Sequence, residues 1–172
     1  MTERLKDINY MFMKKQSAGI LAYRFNKGRC EVFLIHPGGP LWKNREKDAW
    51  SIPKGEFDEG EKPFDAAKRE FKEETGHDVD GDFWEMDPVI QKGGKTVYAW
   101  AVEANPDATD ITSNTFQMEW PPKSGYYQHF PEADKAAWVP VDEAQEKMFR
   151  GQEPLIDQLA EALELSLGKN NN

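Results

Sequence analysis

The chain has 172 residues, with 22 Lys and Arg against 31 Asp and Glu, a formal net charge of −9. That length suits one domain with modest extensions. The acidic excess excludes a general nucleic-acid-polymer binder and a protein docked on anionic lipid, both of which need basic patches. The single cysteine, Cys30, cannot close an intramolecular disulfide and fits a cytoplasmic chain. No apolar run approaches the ~20 residues needed to span a bilayer, so no membrane partner is expected. Aromatic residues at 12%, six of them Trp, argue for a folded core rather than disorder.

In chain order, residues 1–16 read as a lead-in, 17–167 as one domain and 168–172 as a disordered tail. Ser17–Arg24 and Cys30–His36 read as strands joined by a hairpin turn at Asn26-Lys27-Gly28. A Gly/Pro-rich loop (37–49), a short extended Trp50-Ser51-Ile52-Pro53 and a second acidic loop (54–62) follow. Pro63–Thr75 is the clearest helix, with Pro63 in its first turn and Gly76 just past its end. Phe64, Ala67 and Phe71 form its apolar stripe. Residues 78–86 read as a linker, and 89–91 and 95–102 as a strand pair around Gly93-Gly94. The polar, Pro-rich stretch 105–125 reads as loop, 136–139 as a short strand, and 141–149 and 153–167 as helices. Strands and helices without regular alternation point to a mixed α/β sandwich, with helices packed on a sheet.

The densest chemistry lies in Gly55–Gly76, which holds eight acidic residues against four basic ones. On a helix Glu70, Glu73 and Glu74 stand at i, i+3 and i+4, on one face. Ala66, one turn earlier, is expected to leave room there. Three like charges so close repel, which makes sense if a cation sits among them. Hard divalent ions such as Mg²⁺ take carboxylate oxygens and keep positions open for water and phosphate. Arg69 can pair with Glu61 and tie the acidic loop to the helix. A solvated, Glu-rich surface face is the competing interpretation. Asp78-x-Asp80-x-Asp82 fails as a calcium loop because Phe83 and Val89 replace the required Gly and Glu. The glycine pairs lack nucleotide-loop spacing, and the three histidines lack zinc-type spacing.

This stretch is similar to the Nudix hydrolase box, Gly-x5-Glu-x7-Arg-Glu-apolar-x-Glu-Glu-x-Gly-apolar. It reads here as Gly55, Glu61, Arg69, Glu70, Phe71, Glu73, Glu74 and Gly76, with every spacing kept; only His77 departs, where an aliphatic residue is usual. The resemblance implies a Nudix-type α/β/α sandwich with a mixed sheet and hydrolysis of a pyrophosphate link in a small nucleotide polyphosphate. It implies Mg²⁺, with Mn²⁺ as the other ion admitted, held by Glu70, Glu73, Glu74 and the Gly55 carbonyl. Glu73 and Glu74 thereby join the catalytic set, and Glu61–Arg69 is structural support.

Trp50-Ser51-Ile52-Pro53-Lys54-Gly55 resembles the Trp-x-x-Pro-Lys-Gly run of the dinucleoside tetraphosphate hydrolase branch. Lys54, beside the box, is a candidate phosphate contact, with an ordinary surface lysine as the alternative. In that branch a glutamate six residues before a strand Trp serves as an added metal ligand or general base. Glu132 stands at that offset from Trp138 and is the first choice for water activation, with Glu119 as its rival. Trp120, Tyr126 and Tyr127 crowd a polar loop and are candidates for stacking on a base, or for pinning that loop to the sheet. A nucleoside triphosphate is the second substrate in line, and a non-catalytic nucleotide-sensing module the alternative to an enzyme.

Overall fold

The computed structural model describes residues 15–165; most of the expected lead-in and the whole 168–172 tail lie outside them. Strand β1 (Gln16–Asn26) turns directly into β2 (Arg29–Pro37). Lys27 and Gly28 both take positive φ, 52° and 78°, as a two-residue hairpin matched to strand twist requires. The remaining elements are β3 (Lys54–Glu56), α1 (Pro63–Thr75), β4 (Trp84–Glu85), β5 (Val89–Ile90), β6 (Thr96–Glu103), β7 (Thr115–Glu119), β8 (Tyr127–Pro131), β9 (Ala133–Pro140), α2 (Val141–Lys147) and α3 (Pro154–Ala162).

The main sheet has seven strands along the path β4-β6-β1-β2-β9, with β3 on β1 and β5 on β6. β1 and β6 are parallel, and the other pairings are antiparallel. β1 is central and buried on both faces, which explains its nearly unbroken apolar run. Ala18, Ile20 and Ala22 join one core with Phe33, Ala66, Ala67, Phe71 and Val102. Leu21 and Tyr23 join a second core with Leu34, Val97, Ala144, Leu155, Ile156 and Leu159. α1 therefore covers one face of the sheet and α2 with α3 the other, as the α/β/α expectation requires.

α1 has the expected bounds. Pro63 stands at its start, and Gly76 ends it in the left-handed conformation at φ 79°, its amide bonding to the Lys72 carbonyl. Its last turn would leave orphan carbonyls. The segment 112–114 caps two of them: Asn114 N donates to Glu73 O at 2.8 Å and Thr112 N to Thr75 O at 3.0 Å. Ala67 and Phe71 are fully buried; Phe64 lies at the edge, against Phe83 and Trp100.

Several expectations need correction. Ala66 is fully buried against the sheet rather than leaving room beside the carboxylates. The 105–125 stretch contains β7, which pairs with β8 as a separate two-stranded sheet; their half-exposed, polar-aromatic sequences have no core periodicity to show. The 78–86 linker contains the two residues of β4. β1 begins one residue earlier than expected and β9 three residues earlier, whereas α2 ends at Lys147 and α3 at Ala162.

Phe71, buried between the sheet and the carboxylate face, is the residue on which α1 is docked. Phe71→Ala should destabilise the domain by about 3–5 kcal/mol in urea unfolding. A loss under about 1 kcal/mol would show that α1 docking does not depend on it.

Candidate active site

The carboxylates of α1 face a cavity of about 430 Å³ lined by Ser17, Lys54, Gly55, Glu56, Glu70, Glu73, Glu74, Lys95, Asn114 and Glu132. Three chain regions build it. β3 runs antiparallel to β1 and pairs Gly55 with Ala18. There the strand passes so close to α1 that a Cβ on Gly55 would collide with the Glu70 carboxylate and have to displace it. α1 supplies three glutamates. The single residue between β8 and β9 supplies the fourth, Glu132. Its amide donates to Asn114 O at 2.8 Å and its carbonyl accepts from Gly38 N at 3.0 Å. Because Asn114 also caps α1, one segment ties Glu132 to the helix that carries the other three.

Arg69 does more than join Glu61. Its Nε and one terminal nitrogen bond both oxygens of Glu61 at 2.8 Å, a bidentate fork. Its other terminal nitrogen reaches Glu70 Oε1 at 2.7 Å and Glu73 Oε2 at 3.0 Å. These partners hold the guanidinium firmly in its charged form. Glu61 is lowered by the same pairing.

Burial dominates the titration of Glu70, Glu74 and Glu132. It raises Glu70 against the pull of Arg69. It raises Glu132, with added repulsion from Glu73. It pushes Glu74 up to about 8, opposed by the Lys54 charge and by the hydrogen bond from Lys54 N to Glu74 Oε2 at 3.2 Å. Lys54 is lowered by burial and by Lys95, while Glu74, Glu56 and Glu70 pull it back. Lys95 itself is held by Glu56 at 2.8 Å. The hydroxyl of Ser17 is the one buried side-chain polar atom without a hydrogen-bond partner among the described residues.

The structure thus brings together Lys54, Gly55, Glu70, Glu73, Glu74 and Glu132, with Glu61 and Arg69 beside them. It does not place Trp120, Tyr126 or Tyr127 in the cavity lining. They stand at the turn of the β7–β8 hairpin, where Tyr126 and Tyr127 are exposed. Glu119, opposite Tyr127 in that hairpin, is also outside the lining. Lys95, Asn114, Glu56 and Ser17 went unread in the sequence. No local motif marks Lys95, Asn114 and Ser17, because the parallel β1–β6 pairing and the α1 cap gather them from distant segments, whereas Glu56 directly follows Gly55 on β3.

Among the described residues, no group of three His, Cys, Asp or Glu side chains is already drawn together as a cation cage; Arg69 is the cation that Glu70 and Glu73 now hold. The donor set around the cavity nevertheless fits a hard divalent ion, since it consists of carboxylate and carbonyl oxygens with no sulfur or imidazole. Two of its glutamates are almost wholly buried, and burying carboxylates without cationic compensation is unfavourable.

The Nudix domain family model matches residues 13–159, and the chain belongs to this family. It is 32% identical over 120 residues to an 8-oxo-(d)GTP phosphatase of Mycolicibacterium smegmatis, a match covering 69% of this chain and 30% of that protein. It is 44% identical over 62 residues to an RNA pyrophosphohydrolase of Cereibacter sphaeroides, covering 34% of this chain and 36% of the relative. The matches thus span about a third of these relatives' lengths. Among solved structures, a Caenorhabditis elegans Ap4A hydrolase superposes with a TM-score of 0.60 at 22% identity, covering 87% of this chain and 98% of that one. The Nudix domain of Shewanella oneidensis NrtR, complexed with ADP ribose, gives 0.62 at 15% identity, covering 95% and 99%. At these identities the structural likenesses speak for the fold.

The raised Glu74 has a measurable consequence. In the cation-free protein the folded state keeps a proton up to about pH 8 that the unfolded chain releases near 4.5. Between those values the folded state binds more protons, so stability must fall as pH rises. Urea titrations of the cation-free protein should show this decline, and Glu74→Gln should flatten it. An unchanged slope in that variant would assign the decline elsewhere.

Proposed function

We propose that the chain is a Mg²⁺-dependent hydrolase that cleaves a pyrophosphate link in a small nucleotide polyphosphate. The first substrate class is bis(5′-nucleosyl)-tetraphosphate, giving a nucleoside triphosphate and a monophosphate. The observation that carries the reading is the complete carboxylate set, Glu70, Glu73, Glu74 and Glu132, around one polar cavity that also holds Lys54. A sensing module has no need of so costly an arrangement of like charges, two of them almost wholly buried.

Glu70, Glu73, Glu74 and the Gly55 carbonyl are the groups that would hold Mg²⁺, with Mn²⁺ as the alternative ion. Bound there, the ion would neutralise phosphate charge and make water a better nucleophile near neutral pH. Glu132 is assigned as the general base. Burial and the Glu73 charge raise its proton affinity, and it stands apart from the Arg69 pairings. It accepts the proton as the water oxygen bonds to phosphorus and the anhydride P–O bond breaks, the electron pair leaving on the departing phosphate. Lys54 binds the phosphate chain. The cavity lining contains no aromatic side chain, so a base must be recognised elsewhere. Trp120, Tyr126 and Tyr127 are the stacking surface we assign to it.

The relative acting on 8-oxo-(d)GTP favours a second reading, a nucleoside triphosphate cleaved to the monophosphate and pyrophosphate. The relatives named for RNA pyrophosphohydrolysis add the RNA 5′ end as an arm of the test, although the charge of −9 opposes a polymer partner.

Dinucleoside polyphosphates, nucleoside triphosphates including 8-oxo forms, and 5′-triphosphorylated RNA should be assayed with and without Mg²⁺. Dinucleoside tetraphosphate should turn over fastest, and only with the cation. Glu73→Gln should reduce turnover to near background, and equal, undetectable turnover by both proteins would sink the enzyme reading. Glu132→Gln should lower kcat by about 10²–10⁴-fold with little change in substrate binding. If Glu119→Gln does this instead, the base is misassigned.

A further inference from the structure

His36 is fully buried, yet it lies outside the carboxylate cavity. Its Nδ1 side meets Asp134 Oδ1 at 3.0 Å and its Nε2 side meets the Arg45 carbonyl at 2.6 Å. Its ring stands edge-on to Trp50 at 5.2 Å. One imidazole therefore joins β2, the 38–48 loop and the first residues of β9. Both partners are acceptors; a neutral ring can donate to one of them, and the imidazolium to both.

The Asp134 end of this link coincides with an irregularity in β9. Pro37 pairs with Ala133 and His36 with Lys135, so Asp134 is an extra residue with no partner across the ladder. Such bulges re-aim the side chains around them. Ala136 and Trp138 face the α1 core, and so does Ala133. An unbroken period of two would instead carry Asp134 and Glu132 onto that apolar face. The extra residue puts Ala133 there and leaves Glu132 at the mouth of the cavity. The Glu132 carbonyl is held by Gly38, two residues after His36. Gly38 is itself so close to Pro131 that a Cβ on it would strike the Pro131 carbonyl. A second link between loop and β9, Lys135 to Glu46 at 3.0 Å, is solvent-exposed on both sides and therefore weak. The His36 link has one fully buried end, and from the other side the Ser113 hydroxyl holds Ala133, donating to its carbonyl and accepting from its amide at 3.1 Å.

We propose that His36 and Asp134 are positioning residues: they lock the β9 bulge and thereby hold Glu132 at the carboxylate cluster. This rests on the assignment of Glu132 as general base. Misplacing a reacting group by about 1 Å can cost about 10²-fold in rate.

The test uses Asp134→Ala and His36→Gln in the full chain, alone and combined with Glu132→Gln, together with amide hydrogen exchange. Asp134→Ala should lower kcat about ten- to a hundredfold with KM nearly unchanged. It should accelerate exchange at the amides of Gly38 and Glu132 and leave the α1 amides protected. Added to Glu132→Gln, it should reduce kcat no further, because it acts through that residue. A further loss in the double variant, or unchanged exchange at Gly38 and Glu132 in a folded variant, overturns the proposal. Should His36→Gln fail to fold, Asp134→Ala, whose side chain is partly exposed, carries the test alone. If Glu132→Gln alone leaves kcat intact, the base assignment fails, and the exchange data still decide whether the lock exists.

Discussion

Four carboxylates share one cavity, and their mutual repulsion is the force that the surrounding structure must contain. Two unit charges about 5 Å apart at an effective dielectric of 20 repel by about 3 kcal/mol. Arg69 answers part of this, because its guanidinium reaches Glu61, Glu70 and Glu73 at once. One positive charge cannot compensate three negative ones, and Glu74 lies beyond its hydrogen bonds. Burial, with a smaller contribution from this repulsion, raises the proton affinity of Glu70, Glu74 and Glu132. A site that gathers four carboxylates around one cavity favours cations, and a divalent ion offers more charge per oxygen ligand than any side chain.

Such repulsion must be contained by elements that cannot move apart. α1 is bolted to the sheet by Ala66, Ala67 and Phe71. β3 is held to β1 by its ladder, and the missing Cβ of Gly55 lets it approach the Glu70 carboxylate. At the other end Asn114 donates to Glu73 O and accepts from Glu132 N. The helix cap and the placement of Glu132 are thus parts of one hydrogen-bonded path.

What the sequence made legible follows the range of the forces involved. α1 could be read to the residue because its signals are local: Pro63 at the start, Gly76 at the end, Ala67 and Phe71 on one face. The Glu70, Glu73 and Glu74 cluster follows from the same periodicity, and Glu61–Arg69 from loop-to-helix reach. Glu132 was reachable only through resemblance, since nothing local distinguishes it from a surface glutamate. Lys95 and Ser17 were beyond reach, because a parallel pairing of β1 with β6 brings them to the cavity across some eighty positions. Ala66 was misjudged for a related reason: the sheet residues that bury it, not its own helix, decide which face is covered. β7 was missed because a solvated two-stranded hairpin lacks the alternating burial that marks a strand in sequence.

The acidity of the chain takes a specific meaning from this arrangement. Half-buried carboxylates facing a polar cavity repel a bare polyphosphate, and Lys54 and Lys95 are themselves partly engaged with neighbouring glutamates. Under the proposed function, an anionic substrate would gain entry to the extent that it arrives with a metal ion, and the same ion would relieve the repulsion among the glutamates. Substrate affinity and site stability would then be linked through the bound cation. A long nucleic acid, with its dense phosphate charge outside the cavity, would meet the remaining acidic surface unscreened. A short polyphosphate, whose charge fits inside, would not.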